Sequence, residues 1–93
     1  MRTIKYTSQF KRDYKRQKKS GQHQELDKLL KSTTNLLAKD QHLPKRFFDH
    51  ALSNNWQDHR DCHIKPDLVL IYRKPDPKTL ELVRLGSHSQ LSL

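Results

Sequence analysis

Five consecutive apolar residues, Leu68-Val69-Leu70-Ile71-Tyr72, stand between two turn-forming segments, Lys65-Pro66-Asp67 and Pro75-Asp76-Pro77. A run this short, rich in branched side chains and apolar at odd and even positions alike, reads as a strand buried on both faces. That strand dictates the rest. Trp56–Ile64 alternates, with Trp56, Arg60, Cys62 and Ile64 on one face and Gln57, His59, Asp61 and His63 on the other. Thr79–Leu85 reads as a further strand, after which Gly86 begins a short C-terminal tail. Tight turns make such neighbours antiparallel.

Upstream the period changes. Arg2–Tyr6 reads as a short first strand, and Thr7 or Ser8 offers a side-chain oxygen to cap a helix. That helix runs from about Ser8 to Lys19, with Phe10 and Tyr14 on one face, and Gly21 stops it. A second helix, roughly Gln22 to Lys39, carries Leu26, Leu29, Leu30, Thr33, Leu36 and Leu37 at helical spacing, a stripe read as core. Pro44 and Ser53-Asn54-Asn55 make 42–55 irregular. The expected fold is α+β: two N-terminal helices on one face of a small twisted antiparallel sheet, as a single domain over 1–93.

Only 32% of the 93 residues are hydrophobic, so the core is small. Nineteen Lys and Arg against ten Asp and Glu give a formal charge of +9, which draws the chain towards polyanions. Lys11, Arg12, Lys15, Arg16, Lys18 and Lys19 concentrate that charge on the first helix, where each neutralised phosphate of a nucleic acid would release counterions. The same face would also serve as plain solvated surface, or meet an acidic protein. A membrane surface suits it less, because the helix lacks a broad apolar face. A lone Cys62, expected to be buried, allows no internal disulfide, and no segment resembles a signal peptide or is long enough to span a bilayer. The expected location is therefore the cytoplasm.

Six histidines are many for this length. His23 and His42 read as ordinary surface residues. His50, His63 and His88 are different when taken with Asp67. His63 and Asp67 flank one turn, His88 follows Gly86 at the end of the next strand, and His50 lies on the segment leading into the hairpin. Such a set suits RNA cleavage without a metal. The ribose 2′-hydroxyl attacks its own phosphate once a base takes its proton, an acid protonates the departing 5′-oxygen, and a cation steadies the phosphorane. Imidazole serves both proton roles near neutrality, and a carboxylate can orient it. Arg84 is a candidate to clamp phosphate oxygens. No His-Glu-x-x-His, no Cys-x-x-Cys and no helical His pair calls for a metal, and two glycines cannot make a phosphate loop. No cofactor is expected.

The runs Asp49-His50-Ala51-Leu52, Trp56, Arg60-Asp61-Cys62-His63-Ile64, Pro66-Asp67-Leu68-Val69-Leu70-Ile71-Tyr72 and Arg84-Leu85-Gly86-Ser87-His88-Ser89-Gln90-Leu91, with Tyr6-Thr7-Ser8-Gln9-Phe10-Lys11-Arg12-Asp13-Tyr14-Lys15 near the N-terminus, resemble the YafQ-type branch of the RelE/ParE toxin superfamily. The resemblance covers essentially the whole chain. It implies a ribosome-dependent endoribonuclease that cuts messenger RNA in the A site, held in check by a cognate antitoxin. It further implies that the complex, not the toxin alone, reaches operator DNA. The positions matching His50, His63, Asp67 and His88 would carry the proton transfers. The chain departs from the pattern at Ser92, where relatives commonly have an aromatic residue. It departs again at Leu68, where many have Trp, and at His59, where many have Tyr, which makes His59 a further candidate. Two other readings compete: a non-catalytic inhibitor of DNA gyrase on the same fold, and a simple nucleic-acid-binding module.

Overall fold

The structure is a computed structural model that describes residues 1–21 and 25–93. Strand β1 (Thr3–Tyr6) leads into helix α1 (Ser8–Ser20) and helix α2 (Leu26–Ala38). Strands β2 (His50–Ala51), β3 (Arg60–Lys65), β4 (Leu68–Arg73) and β5 (Thr79–Gly86) follow. The predicted start of the second helix at Gln22, and His23 with it, lie outside the described residues.

Helix α1 begins where the sequence offers a cap: the Thr7 hydroxyl accepts from the Phe10 amide at 3.0 Å. It ends at Gly21, whose φ of 69° is the left-handed cap that glycine adopts without a Cβ clash. Helix α2 buries Leu26, Leu30, Thr33, Thr34, Leu37 and Ala38. Tyr14 of α1 donates to Asp27 of α2, and Lys18 reaches the same carboxylate, tying the two helices together.

The five strands lie in the order β1-β5-β4-β3-β2. The α+β class and the antiparallel β3 to β5 run stand as expected, and β2 adds a further antiparallel strand beside β3. The exception is β1, which pairs parallel to β5, Thr3 with Thr79 through Tyr6 with Leu82, so the sheet is mixed. A parallel neighbour needs a long crossover, and the two helices and the hairpins supply it. Strand β4 is the centre of the molecule, with Leu68 to Tyr72 all buried. Its Leu68, Leu70 and Tyr72 meet the helices together with Phe10, Leu30, Leu37, Cys62, Ile64, Leu82 and Leu85.

The face away from the helices is not bare. Val69, Ile71 and Val83 form a second, smaller core with Leu91, Leu52 and Trp56. Two expectations change here. The residues after Gly86 are no loose tail: hydrogen bonds from the Leu91 amide to the Ser87 carbonyl and from the Leu93 amide to the His88 carbonyl curl them back, and Leu91 is buried. Trp56 does not share a face with Cys62 and Ile64. It belongs to a 3-10 turn, Asn54–Trp56, and with Asp58 at φ 66° the chain reverses before β3 starts at Arg60. The segment read as irregular likewise contains a 3-10 turn, Lys45–Phe47, and β2.

Strand β5 is longer than β1, so its far half has no strand neighbour on that side. Helix α1 fills the gap. Asp13, buried in the helix, accepts from the Leu85 amide at 3.0 Å and from Arg84 Nε at 2.7 Å. Thr7 donates its hydroxyl to the Val83 carbonyl at 2.7 Å. Two side chains thus satisfy a backbone donor and a backbone acceptor that a sixth strand would otherwise meet.

Candidate active site

Pairing brings the scattered histidines together. His50 on β2 lies directly opposite Asp61 on β3, and His63 stands two residues further along the same face. The β3–β4 turn presents Asp67, and the curled C-terminus presents His88 beside it. His88 Nδ1 is 2.7 Å from Asp67 Oδ1, and the same oxygen accepts the His88 amide at 3.1 Å. The rings of His63 and His88 meet edge to face with centroids 4.9 Å apart. On its other side His63 meets the ring of Phe48, centroid to centroid 5.3 Å. The candidates His50, His63 and His88 therefore gather on the sheet face away from the helices, with Asp67 at the β3–β4 turn beside them.

Hydrogen bonding fixes two of the imidazoles. His50 Nδ1 lies 2.8 Å from the Phe48 carbonyl, and His88 Nδ1 faces the Asp67 carboxylate. A carbonyl and an ionised carboxylate have no proton to give, so Nδ1 carries the hydrogen in both rings. Nε2 is left to exchange a proton with a substrate. The two hydrogen bonds from His88, ring and backbone, hold the Asp67 carboxyl below the usual carboxylate range, so it remains an acceptor at neutral pH.

Asp61 is the residue that sequence reasoning missed. It is 2% exposed, and burial pushes its carboxyl up from the usual range, while His50, His63 and His88 pull it down. Its Oδ1 stands 2.9 Å from His50 Nδ1, yet that ring's N–H points to the Phe48 carbonyl, and Oδ1 accepts no hydrogen bond. The alternation of β3 already placed Asp61 on the face of His63. Its meaning depends on which residue faces it across β2. Asp49, next to His50, is anchored by the Tyr72 hydroxyl at 2.6 Å and Arg60 Nε at 3.2 Å, which pins the segment that carries His50. Burial first, and then the bond to Asp49, drive the Tyr72 phenol pKa upward.

The basic candidates divide. Lys11, Arg12, Lys15 and Lys19 are exposed along α1. Arg16 pairs with Asp13 and Lys18 with Asp27. Arg84 is turned inward: Nε and Nη2 both bond Asp13, at 2.7 and 3.3 Å. The cation expected to clamp phosphate is engaged in holding α1 to β5, because Asp13 reaches it from the helix. His59 has local contacts, Nδ1 to the Gln57 carbonyl at 2.9 Å and its ring edge-on to Trp56. His42 is exposed, as expected.

Two clefts flank the cluster. One of about 330 Å³ runs from Asp67, Ser87 and Gln90 to Arg16, Gln17 and Ser20 at the end of α1. The other, about 470 Å³, lies against His63 on the far side of the turn and is walled by Phe48, Phe47, Arg46 and Leu29. Among the described residues, no group of three or more His, Cys, Asp or Glu is spaced to hold a metal ion, and no helix is long and apolar enough to cross a membrane.

Residues 2–93 match the family described as "Bacterial toxin of type II toxin-antitoxin system, YafQ". The mRNA interferase toxin YafQ of Escherichia coli strain B / BL21-DE3 is 38% identical over 90 residues, 97% of this chain and 95% of that one. A copper-bound mutant toxin from Helicobacter pylori superposes with a TM-score of 0.89 at 37% identity, covering 98% of this chain and 99% of the other. The toxin of the E. coli DinJ-YafQ complex superposes with a TM-score of 0.81 at 36% identity over 98% of each chain.

Proposed function

The chain belongs to the YafQ family of type II toxin–antitoxin toxins, and from that premise we propose that it is a ribosome-dependent endoribonuclease that cuts messenger RNA in the A site. It would act in the cytoplasm, be silenced by a cognate antitoxin, and reach operator DNA only within that complex. The observation that carries the reading is the His88–Asp67 pair with His63 packed edge-on against it.

The chemistry follows from the two free Nε2 atoms. One neutral imidazole removes the proton of the ribose 2′-hydroxyl. The oxygen attacks the adjacent phosphorus, the P–O5′ bond breaks, and a second, protonated imidazole delivers a proton to the leaving 5′-oxygen. The products are a 2′,3′-cyclic phosphate and a 5′-hydroxyl. His50 and either His63 or His88 share the two proton roles. Asp67 assists by holding the His88 ring in place. Buried Asp61 sits among the three rings and balances whichever of them is charged. The exposed lysines of α1, with Arg12, bring the chain to a ribosomal RNA-rich surface.

The test is primer extension on a defined message in a translation mixture, comparing the wild type with His63→Ala. New ends within codons, in frame and absent with His63→Ala, are expected. Arrest of synthesis without new ends would overturn the ribonuclease reading and direct the search to gyrase.

A further inference from the structure

Phe48 is an unusual residue to find beside such a site. The residue is 65% exposed, and its backbone is left-handed at φ 49°. A bulky residue in that conformation is a genuine outlier, and an exposed ring returns no burial to offset it. Its neighbour Phe47, by contrast, is buried in the main core. The chain turns at Phe48 so that one ring enters the core and the next stands out against His63. After β5, Leu91 is buried beneath the sheet and exposed Ser92 carries no ring, so these residues offer no aromatic surface.

We infer that Phe48 and the cleft it walls form a nucleobase-binding subsite, in which an unpaired base of the message next to the scissile phosphate stacks on the Phe48 ring. This deepens the ribonuclease reading and rests on it. The cleft is continuous with the His63 ring, so a base seated there places its own phosphate at the histidine cluster. The lining suits a polyanion: exposed Arg46 and half-buried Lys65 both line the cleft, the Arg46 guanidinium lies 5.0 Å above the Phe47 ring, and the next residue back, Lys45, is exposed too. An aromatic face accepts any base and needs no hydrogen-bond match, so the subsite holds the nucleotide in place without dictating its identity.

Three substitutions separate this from a structural role. Phe48→Gly removes the ring and relieves the backbone, since glycine takes a positive φ freely. Phe48→Tyr keeps a stacking face, and Phe48→Leu keeps only apolar bulk. Cleavage is measured on ribosomes programmed with a synthetic message, at toxin concentrations that report kcat/KM. Each codon position in turn is replaced by an abasic nucleotide. Phe48→Gly is expected to melt at or above the wild-type temperature and to cut about 5- to 150-fold more slowly, the range that loss of one stacked base gives. Tyr restores most of the rate and Leu does not. One abasic position slows the wild type by a similar factor and leaves Phe48→Gly unchanged, the non-additivity that marks a direct contact.

Wild-type rates with Phe48→Gly, full activity with Phe48→Leu, or additive penalties from ring and base removal would each overturn the subsite. Weakened antitoxin binding by Phe48→Gly with normal cleavage would overturn it too, and assign the ring to the antitoxin interface. A wild-type protein that cuts no message defeats the ribonuclease reading itself and the subsite with it, and that result is seen before any substitution is made.

Discussion

Asp13 and Asp61 are almost equally buried, 4% and 2% exposed, and the regions around them have opposite characters. Asp13 receives Arg84 Nε, Arg84 Nη2, Arg16 Nη2 and the Leu85 amide, so its charge is matched by donors. Asp61 has an oxygen without a hydrogen bond and three imidazoles in place of fixed cations. A buried carboxylate with its donors supplied locks two elements together. One with donors withheld destabilises the fold and leaves a responsive charge, which is what a proton-transfer site needs. Asp67 completes the contrast as an exposed carboxylate whose task is to hold a single ring.

The widest gap should appear on removing Asp13. Asp13→Ala leaves Arg84 and the Leu85 amide without an acceptor and is expected to cost about 3–5 kcal/mol in urea denaturation. A loss well under 1 kcal/mol would mean that α1 is held to β5 by packing alone.

Asp61→Asn should move the other way, stabilising the protein by about 1 kcal/mol at neutral pH, because an unmatched buried charge is removed. The pH dependence gives the sign. The folded Asp61 holds its proton more tightly than the unfolded one, so stability is greatest with the proton on. It declines as pH rises from the ordinary carboxylate range through the raised value. Melting curves against pH should lose that decline in Asp61→Asn.

Gly86→Ala should have a smaller effect on stability, under about 1 kcal/mol, because the new Cβ would meet the far end of the Gln90 side chain at 2.9 Å. Gln90 Oε1 also accepts from the Ser87 amide and Gln17, so the turn that delivers His88 shifts, and cleavage falls more than stability does. Last, Asp67→Ala should leave the melting temperature unchanged, because the carboxylate is exposed. It should still slow cleavage by about 100-fold, as misplacing a reacting group does. Equal stability losses for Asp13 and Asp67 variants would erase the distinction between structural and site carboxylates.

Much of this was legible beforehand. The helical period of Leu26, Leu30 and Leu37, the Thr7 cap and the Gly21 stop are local signals, and they located α1 and the body of α2. The doubly apolar Leu68–Tyr72 run identified the central strand. His63 and Asp67 were placed at one end of a hairpin by the turn between them. What went astray depended on partners distant in sequence. Alternation carried Trp56 onto the wrong face because a positive φ at Asp58 is invisible to a periodicity of two. Arg84 read as a free cation until Asp13, 71 residues earlier, took it.

By itself, then, the sequence determined the elements, the central strand and the residue types needed for proton transfer near neutrality, because capping, periodicity and side-chain chemistry act over a few residues. Only the tertiary structure decided that β1 runs parallel to β5, that Asp61 lies buried under His50, that Phe48 stands out beside His63, and that one arginine is structural. Those outcomes depend on strand order and register, and register is fixed when distant faces bury one another.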